Sequence, residues 1–171
     1  MATNLEFIKS EIVSSSVTTV TIDNVFSDKY SSYMFVTSKS NTVGTTGTGS
    51  SVRAITGGSA DTGSYYDYAG LDLKAETSFG EGRNTNQTSM IYLFPDADAD
   101  PESGGTVFYV HNPYDSSSYT FFQSQTVQNV NGVHRGRKAI QVYKQANTVT
   151  GIEVTYTQSI NQLTISVYGV K

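Results

Sequence analysis

The acidic run DADADPE contains the residue types most able to do chemistry in this chain. Carboxylates stand at every second position, Asp96, Asp98 and Asp100, as they do at the first three ligand positions of a calcium-binding loop. The EF-hand pattern then requires glycine where this chain has Pro101, and glutamate where it has Val107. We therefore predict a solvated acidic turn, and keep the three aspartates as a candidate Ca²⁺ site.

Catalytic motifs are missing from the sequence. The two histidines, His111 and His134, form no HExxH pair, and with no cysteine in the chain neither a thiolate zinc site nor a disulfide can form. There is no G-x-S-x-G elbow and no Walker A sequence. We expect both histidines at strand ends, and we predict that the chain is not an enzyme and takes no cofactor. Two facing carboxylates of a glycan-cleaving enzyme stay open as a distant alternative.

Two surface patterns have both a binding and a structural interpretation. The segment Tyr65–Tyr68, YYDY, could stack on a sugar, but alternation places Tyr66 and Tyr68 on one strand face, which favours packing. The segment His134–Lys138, HRGRK, could contact phosphates or an acidic protein surface, but exposed charge at a strand start is the commoner reason for such a run. A net charge of −4 argues against nucleic-acid binding.

The elements that must position these residues are strands. Period-two alternation or a short continuous apolar run marks about ten short segments, MIYLF (Met90–Phe94) among them, and no stretch keeps helical periodicity. Three long polar segments separate the strands. Val43–Ser51 and Ile55–Ser64 are each predicted to be a mobile loop or an extended hairpin tip, and Phe79–Ser89 is predicted to be a long loop. The fold class we predict is all-β, an antiparallel two-sheet sandwich, jelly-roll-like, in a single domain spanning residues 1–171. No signal peptide or membrane-spanning run is visible.

Three stretches resemble segments of tailed-bacteriophage virion proteins. The ending TISVYGVK (Thr164–Lys171) is similar to their C-terminal "TIxLYG" strand, with Val167 where leucine is frequent. HNPYDSSSYTFFQSQTV (His111–Val127) resembles their "NPY" segment, and the opening from Phe7 to Ser38 resembles theirs, including its aromatic positions. The aromatic positions are Phe26, Tyr30 and Tyr33. The resemblance implies a β-sandwich whose last strand lies inside a sheet, with Leu163, Ile165 and Val167 facing the core.

The function that this resemblance implies is structural. We expect a capsid decoration (cement) protein, made in the host cytoplasm, that binds the major capsid protein on the virion surface in many copies and self-associates, as a homotrimer. A chain of this length without a fibre shaft favours that role over the alternative, a receptor-binding tail-fibre-tip adhesin for host glycans. We expect no nucleic-acid or membrane partner. Met1–Ser10 and Val43–Ser51 are the candidate capsid-facing or subunit-exchanging segments.

Overall fold

A computed structural model describes residues 4–43, 48–76, 78–97, 104–130 and 132–171. Within these residues all regular structure is β, which confirms the predicted all-β class, and no helix is long and apolar enough to cross a membrane. The described part of the chain forms eleven strands: β1 (Leu5–Val13), β2 (Val17–Ile22), β3 (Ser32–Thr42), β4 (Ser50–Thr56), β5 (Ser59–Ala60), β6 (Tyr66–Lys74), β7 (Gly80–Gln87), β8 (Gly105–His111), β9 (Thr120–Val130), β10 (Val133–Tyr143) and β11 (Gly151–Val170).

The strands join into one antiparallel sheet that curls around β11. The order is β5-β4-β11-β3-β8-β9-β10-β6-β7, with β1 and β2 also paired to β11. The first part of β11 pairs with β2 and β4, whereas its last part, from Ile160 onward, pairs chiefly with β1 and β3. Register shifts between Thr155 and Thr164 mark the change of partners, as expected where a strand passes from one layer of a sandwich to the other.

The sheet folds into two layers. The long layer consists of β1, the last part of β11, β3, β8, β9, β10, β6 and β7, and the short layer consists of β2, the first part of β11, β4 and β5. The two layers meet over an aromatic-rich core. The side chains of Phe35 and Phe108 stack with ring centroids 4.5 Å apart, and Phe94 lies 5.4 Å from Phe108. The hydroxyl of Tyr66, in β6, accepts a hydrogen bond from the backbone N–H of Ala54, in β4, at 3.1 Å. This bond joins the far end of the long layer to the short layer, so the curled sheet is closed on itself by side chains as well as by burial.

The closing strand behaves as its alternation predicts. Leu163, Ile165 and Val167 are each at most 1% exposed, and the strand lies between β1 and β3. Gly169 has a packing role, because a Cβ atom there would lie 2.5 Å from ring carbons of Tyr30. Gly169 in the C-terminal segment and Tyr30 in the N-terminal segment, both from the stretches that resemble virion proteins, are therefore in contact.

The predicted strand Met90–Phe94 is wrong. Met90 makes one isolated bridge to Val52, and the residues after it run irregularly through the interior, with Tyr92 at a φ of 71°. Met90, Leu93 and Phe94 are all fully buried, so the apolar run reflects a segment enclosed between the layers. Burial on every side gives the same sequence pattern as a buried strand.

The predicted loop Phe79–Ser89 is also wrong, because most of it is strand, whereas the hairpin alternative predicted for Ile55–Ser64 is confirmed. Phe79–Ser89 contains β7, which pairs with β6 through backbone hydrogen bonds and exposes most of its side chains, so it has no apolar alternation to reveal it. Ile55–Ser64 contains a tight hairpin in which Gly57 and Gly58 both have positive φ, as a two-residue turn requires. In Val43–Ser51, residues 44–47 lie outside the described residues.

Candidate interaction face

Eight strands of the long layer present one continuous outer face. Strand pairing aligns their outward side chains in rows, because alternate residues point to the same side of a sheet. We call the part on β1, β11, β3 and β8 the uncharged half and the part on β9, β10, β6 and β7 the grooved half. The uncharged half comprises Leu5, Phe7, Ser10, Ile12, Thr164, Ser166, Tyr168, Val170, Ser32, Met34, Val36, Ser38, Gly105, Val107, Tyr109 and His111. The grooved half comprises Phe121, Gln123, Gln125, Val127, Gly136, Lys138, Ile140, Val142, Asp67, Ala69, Leu71, Leu73, Glu81 and Arg83.

The uncharged half contains no Asp, Glu, Lys or Arg at any of its sixteen positions. Phe7 and Ile12 are 59% and 67% exposed, and Phe7 packs edge-on against Tyr168 with ring centroids 5.8 Å apart. Its polar groups are hydroxyls and an imidazole; the Ser32 hydroxyl, for example, lies 2.9 Å from His111 Nδ1. Soluble surfaces carry charge at roughly 25–35% of positions, so a charge-free patch of this size is unusual.

The grooved half holds three adjoining concavities of about 760, 600 and 390 Å³. They are separated by little more than the exposed side chains of the sheet, and the walls of the largest include Arg83, Asn84 and His111. Five large apolar side chains on this half are between 45% and 67% exposed: Phe121, Val127, Ile140, Leu71 and Leu73. Four charged residues, two of each sign, accompany them: Lys138, Asp67, Glu81 and Arg83.

Beneath the grooved half lies a buried ion network. The guanidinium of Arg137 donates to Asp72 Oδ1 at 2.6 Å and to Asp96 Oδ2 at 2.8 Å, and it lies 5.0 Å from the ring centre of Tyr92. Burial acts to lower the pKa of Arg137, but the two carboxylates outweigh it and raise that pKa. The predicted exposed basic run His134–Lys138 is therefore wrong at its centre, because Arg137 points inward.

The candidate calcium site is only partly described. Asp98 and Asp100 lie outside the described residues, while the carboxylate of Asp96 binds Arg137 and accepts a hydrogen bond from the side chain of Gln128 at 3.1 Å. Among the described residues no group of three or more His, Cys, Asp or Glu is placed to hold a metal ion. The Ca²⁺ site stays a prediction, with one of its three carboxylates already engaged.

A second polar cluster closes the hairpin end of the molecule. The carboxylate of Asp61 accepts a hydrogen bond from the hydroxyl of Tyr143, and its backbone carbonyl accepts one from Tyr66 at 2.8 Å. Burial, followed by the hydrogen bond to Asp61, raises the pKa of Tyr143 to about 12, and burial raises that of Tyr66 further. These hydrogen bonds, with that from Ala54 to Tyr66, connect β4, β6 and β10 through Asp61.

The aromatic patch at Tyr65–Tyr68 is mostly internal. Tyr66 is fully buried, Tyr68 packs edge-on against Tyr92 and is partly exposed in the largest groove, and Tyr65 is 39% exposed. His111 ends β8, while His134 is the second residue of β10. Sequence reasoning missed the outer face itself. A usable signal exists, since the outward positions within YMFVTS, VFYVH and the closing strand are all uncharged.

The strands define an all-β antiparallel fold with a broad outer sheet face. No model of a known protein family matches the chain, and no curated protein is similar to it. One solved structure, a Crh5 transglycosylase in complex with NAG, is similar at 9% identity and a TM-score of 0.26, over 98% of this chain and 80% of that chain. A similarity at that level carries no argument about fold or activity.

Proposed function

We propose that this chain is a non-enzymatic structural protein of a tailed-phage virion, a capsid decoration protein that binds the outer shell in many copies. The observation that carries the proposal is the grooved half, where five exposed apolar side chains surround three shallow concavities. Exposed apolar patches of this kind mark protein interaction sites in soluble proteins. The resemblance of both ends and the middle of the sequence to virion proteins names the class of partner, the major capsid protein.

The mechanism is adhesion by contact area. A stable protein interface buries about 800 Å² on each partner, with apolar and aromatic anchors at its centre and a charged rim. The grooved half offers such anchors in Ile140 and Phe121, with Glu81 and Arg83 toward the β7 edge. Repetition over the shell adds avidity to each single contact, so moderate affinity per copy suffices to reinforce the shell.

The grooved half is formed by other residues than the two segments suggested by the sequence, whose capsid-facing or subunit-exchanging role stays a prediction. The part of Met1–Ser10 that the structure describes is built into β1, where Leu5 pairs with Val170 and Ser10 with Ser166. The part of Val43–Ser51 that is described ends in β4. The proposed shell contact lies on the other half of the same outer face, on β9, β10, β6 and β7.

Copy number tests the proposal. The chain is quantified by mass spectrometry in purified virions against the major capsid protein, and we expect a ratio near one per capsid subunit. As a second arm, Ile140→Glu is added to shells lacking the chain. Its binding should fall at least tenfold relative to wild type, because a carboxylate would be buried without a partner. A ratio of a few per hundred, or undiminished binding of Ile140→Glu, contradicts the proposal.

A receptor-binding adhesin is the second candidate, and the largest groove favours it. Phe121 forms part of the floor, and hydrogen-bonding side chains of Asn84, Gln123 and Arg83 stand around it. An apolar floor with a few polar groups is the usual composition of a small-ligand site. A few copies per virion, together with binding of bacterial surface glycans that Phe121→Ala abolishes and Val127→Ala does not, would establish this function in place of decoration.

A further inference from the structure

We infer that copies of this chain pack on one another through the uncharged half. The inference rests on the proposed function for the presence of many copies on one shell. It deepens that function by assigning the uncharged half to a second copy, while the grooved half binds the shell. Nine of the sixteen positions are apolar or aromatic, and the other seven are serine, threonine, glycine and one histidine. Sheet faces of this composition normally pack against another sheet about 10 Å away.

Charge separates a second copy from other occupants. Each chain carries a net charge of −4, so two copies repel at long range, and any like charges that met across a symmetric contact would add to the repulsion. The uncharged half avoids this at every position, whereas a self-contact through the grooved half would have to match four charged side chains of both signs. A surface that contacts itself benefits from having no formal charge, and of the two halves of the described outer face the uncharged half meets that condition.

The charges of β1 lie on the other side of the sheet from the uncharged half. Glu6 and Glu11 pair with Gly169 and Ile165, which face inward, so they point away from Phe7 and Ile12. Glu6 binds both Lys29 and Lys171 there. These hydrogen bonds, led by that from Lys29, lower the pKa of Glu6 to about 2, so the cluster stays ionised through the physiological range. Alternation along the strand therefore keeps these charges off the face that a second copy would cover.

The available area is sufficient for association. Four strands about 4.8 Å apart and eight residues at about 3.3 Å give a flat area of roughly 500 Å² per copy. Two facing copies therefore bury roughly 1,000 Å² in total, which is about the lower limit for a biological interface. This value treats the face as flat and leaves out the additional surface of protruding side chains. The edge strand β1 supplies its most exposed apolar residues, Phe7 and Ile12, so covering them removes more apolar surface than the flat estimate implies.

The chain offers a matched pair of isoleucines for the test. Ile12, on the uncharged half, is 67% exposed, and Ile140, on the grooved half, is 66% exposed; both point outward from a strand. The molar mass of purified wild type, Ile12→Glu, Val107→Glu and Ile140→Glu is measured by sedimentation equilibrium, with circular dichroism and thermal unfolding to establish that each is folded. Ile12→Glu tests the edge of the half, and Val107→Glu tests its β8 side.

We expect wild type and Ile140→Glu to be dimeric, because the face-to-face contact joins two copies, and Ile12→Glu and Val107→Glu to dissociate with a self-dissociation constant raised at least tenfold. A wild-type chain that is monomeric at about 100 µM overturns the inference, as does an oligomer that Ile140→Glu dissociates and Ile12→Glu does not. Should Val107→Glu fail to fold, Ile12→Glu decides alone. The proposed function fails on different results, a copy ratio of a few per hundred or undiminished shell binding by Ile140→Glu, so the two failures are distinguishable.

Discussion

Replacing Arg137 by methionine should destabilise the protein substantially without altering its fold. Methionine retains the apolar stem but removes the guanidinium that lies between Asp72 and Asp96. The arginine side chain is 10% exposed, and the two carboxylates are 21% and 17% exposed. Two largely buried negative charges are then left without their cation.

The magnitude follows from that burial. Removing one partner of a fully buried ion pair costs about 3–5 kcal/mol. Because about a fifth of each carboxylate side chain remains exposed, water recovers part of this, and we expect about 2–3 kcal/mol. Loss of the contact between the guanidinium and the Tyr92 ring adds about 0.5–1 kcal/mol. The total is about 3 kcal/mol.

Urea unfolding at neutral pH, followed by circular dichroism, measures this difference. For a domain of this size the midpoint should fall by about 1–2 M urea with an unchanged slope. The control adds Asp72→Asn and Asp96→Asn to Arg137→Met, which replaces the whole network by neutral groups and should restore at least half of the loss. A cost below about 0.5 kcal/mol for Arg137→Met alone, the value of an exposed ion pair, would refute the reasoning.

Three further outcomes are expected. Tyr143 keeps its proton in the folded state to about pH 12, whereas an unfolded tyrosine loses its proton near pH 10. The free energy of unfolding should therefore decline between pH 10 and pH 12 by up to about 1.4 kcal/mol per pH unit. Urea unfolding across that range should show a shallower decline in Tyr143→Phe. Gly169→Ala forces its methyl group against the ring of Tyr30, so thermal unfolding should show a loss of stability of about 1–3 kcal/mol. In the control Gly136→Ala the added Cβ has ordinary contact distances of 3.7 Å, and the loss should be less than half as large. Millimolar Ca²⁺ should move the melting temperature by less than about 1 °C, because Asp96 is held by a guanidinium; a larger rise seen with Ca²⁺ and not with Mg²⁺ would establish the calcium site.

The class of fold was readable from the sequence wherever one strand face is buried. Apolar residues then occur at every second position, and in β11 this pattern correctly predicted that Leu163, Ile165 and Val167 lie in the core. It failed for β7, whose stability comes from backbone pairing to β6 and leaves no side-chain pattern. It also failed for Met90–Phe94, because enclosure on every side and a buried strand produce the same apolar run.

The interaction face was predictable only in fragments. The inward position of Arg137 follows from its spacing of two and six residues from the buried Ala139 and Tyr143, a signal present in the sequence. The uncharged half could not be assembled in the same way, because it depends on the register between strands far apart in the chain, such as Phe7 against Tyr168. Local residues do not encode which distant strand lies beside them.

The 20-residue strand β11 makes the two layers thermodynamically inseparable. It is hydrogen-bonded to β1, β2, β3 and β4, so neither layer can detach without breaking pairs in the other. Its amide protons should therefore exchange with solvent only through complete unfolding, at rates equal to those of the most protected strands of the long layer. Because it pairs with β1 across more than 150 residues, this central strand must also be among the last to gain its native partners. A protein organised in this way resists local fraying once folded, and it reaches that state slowly.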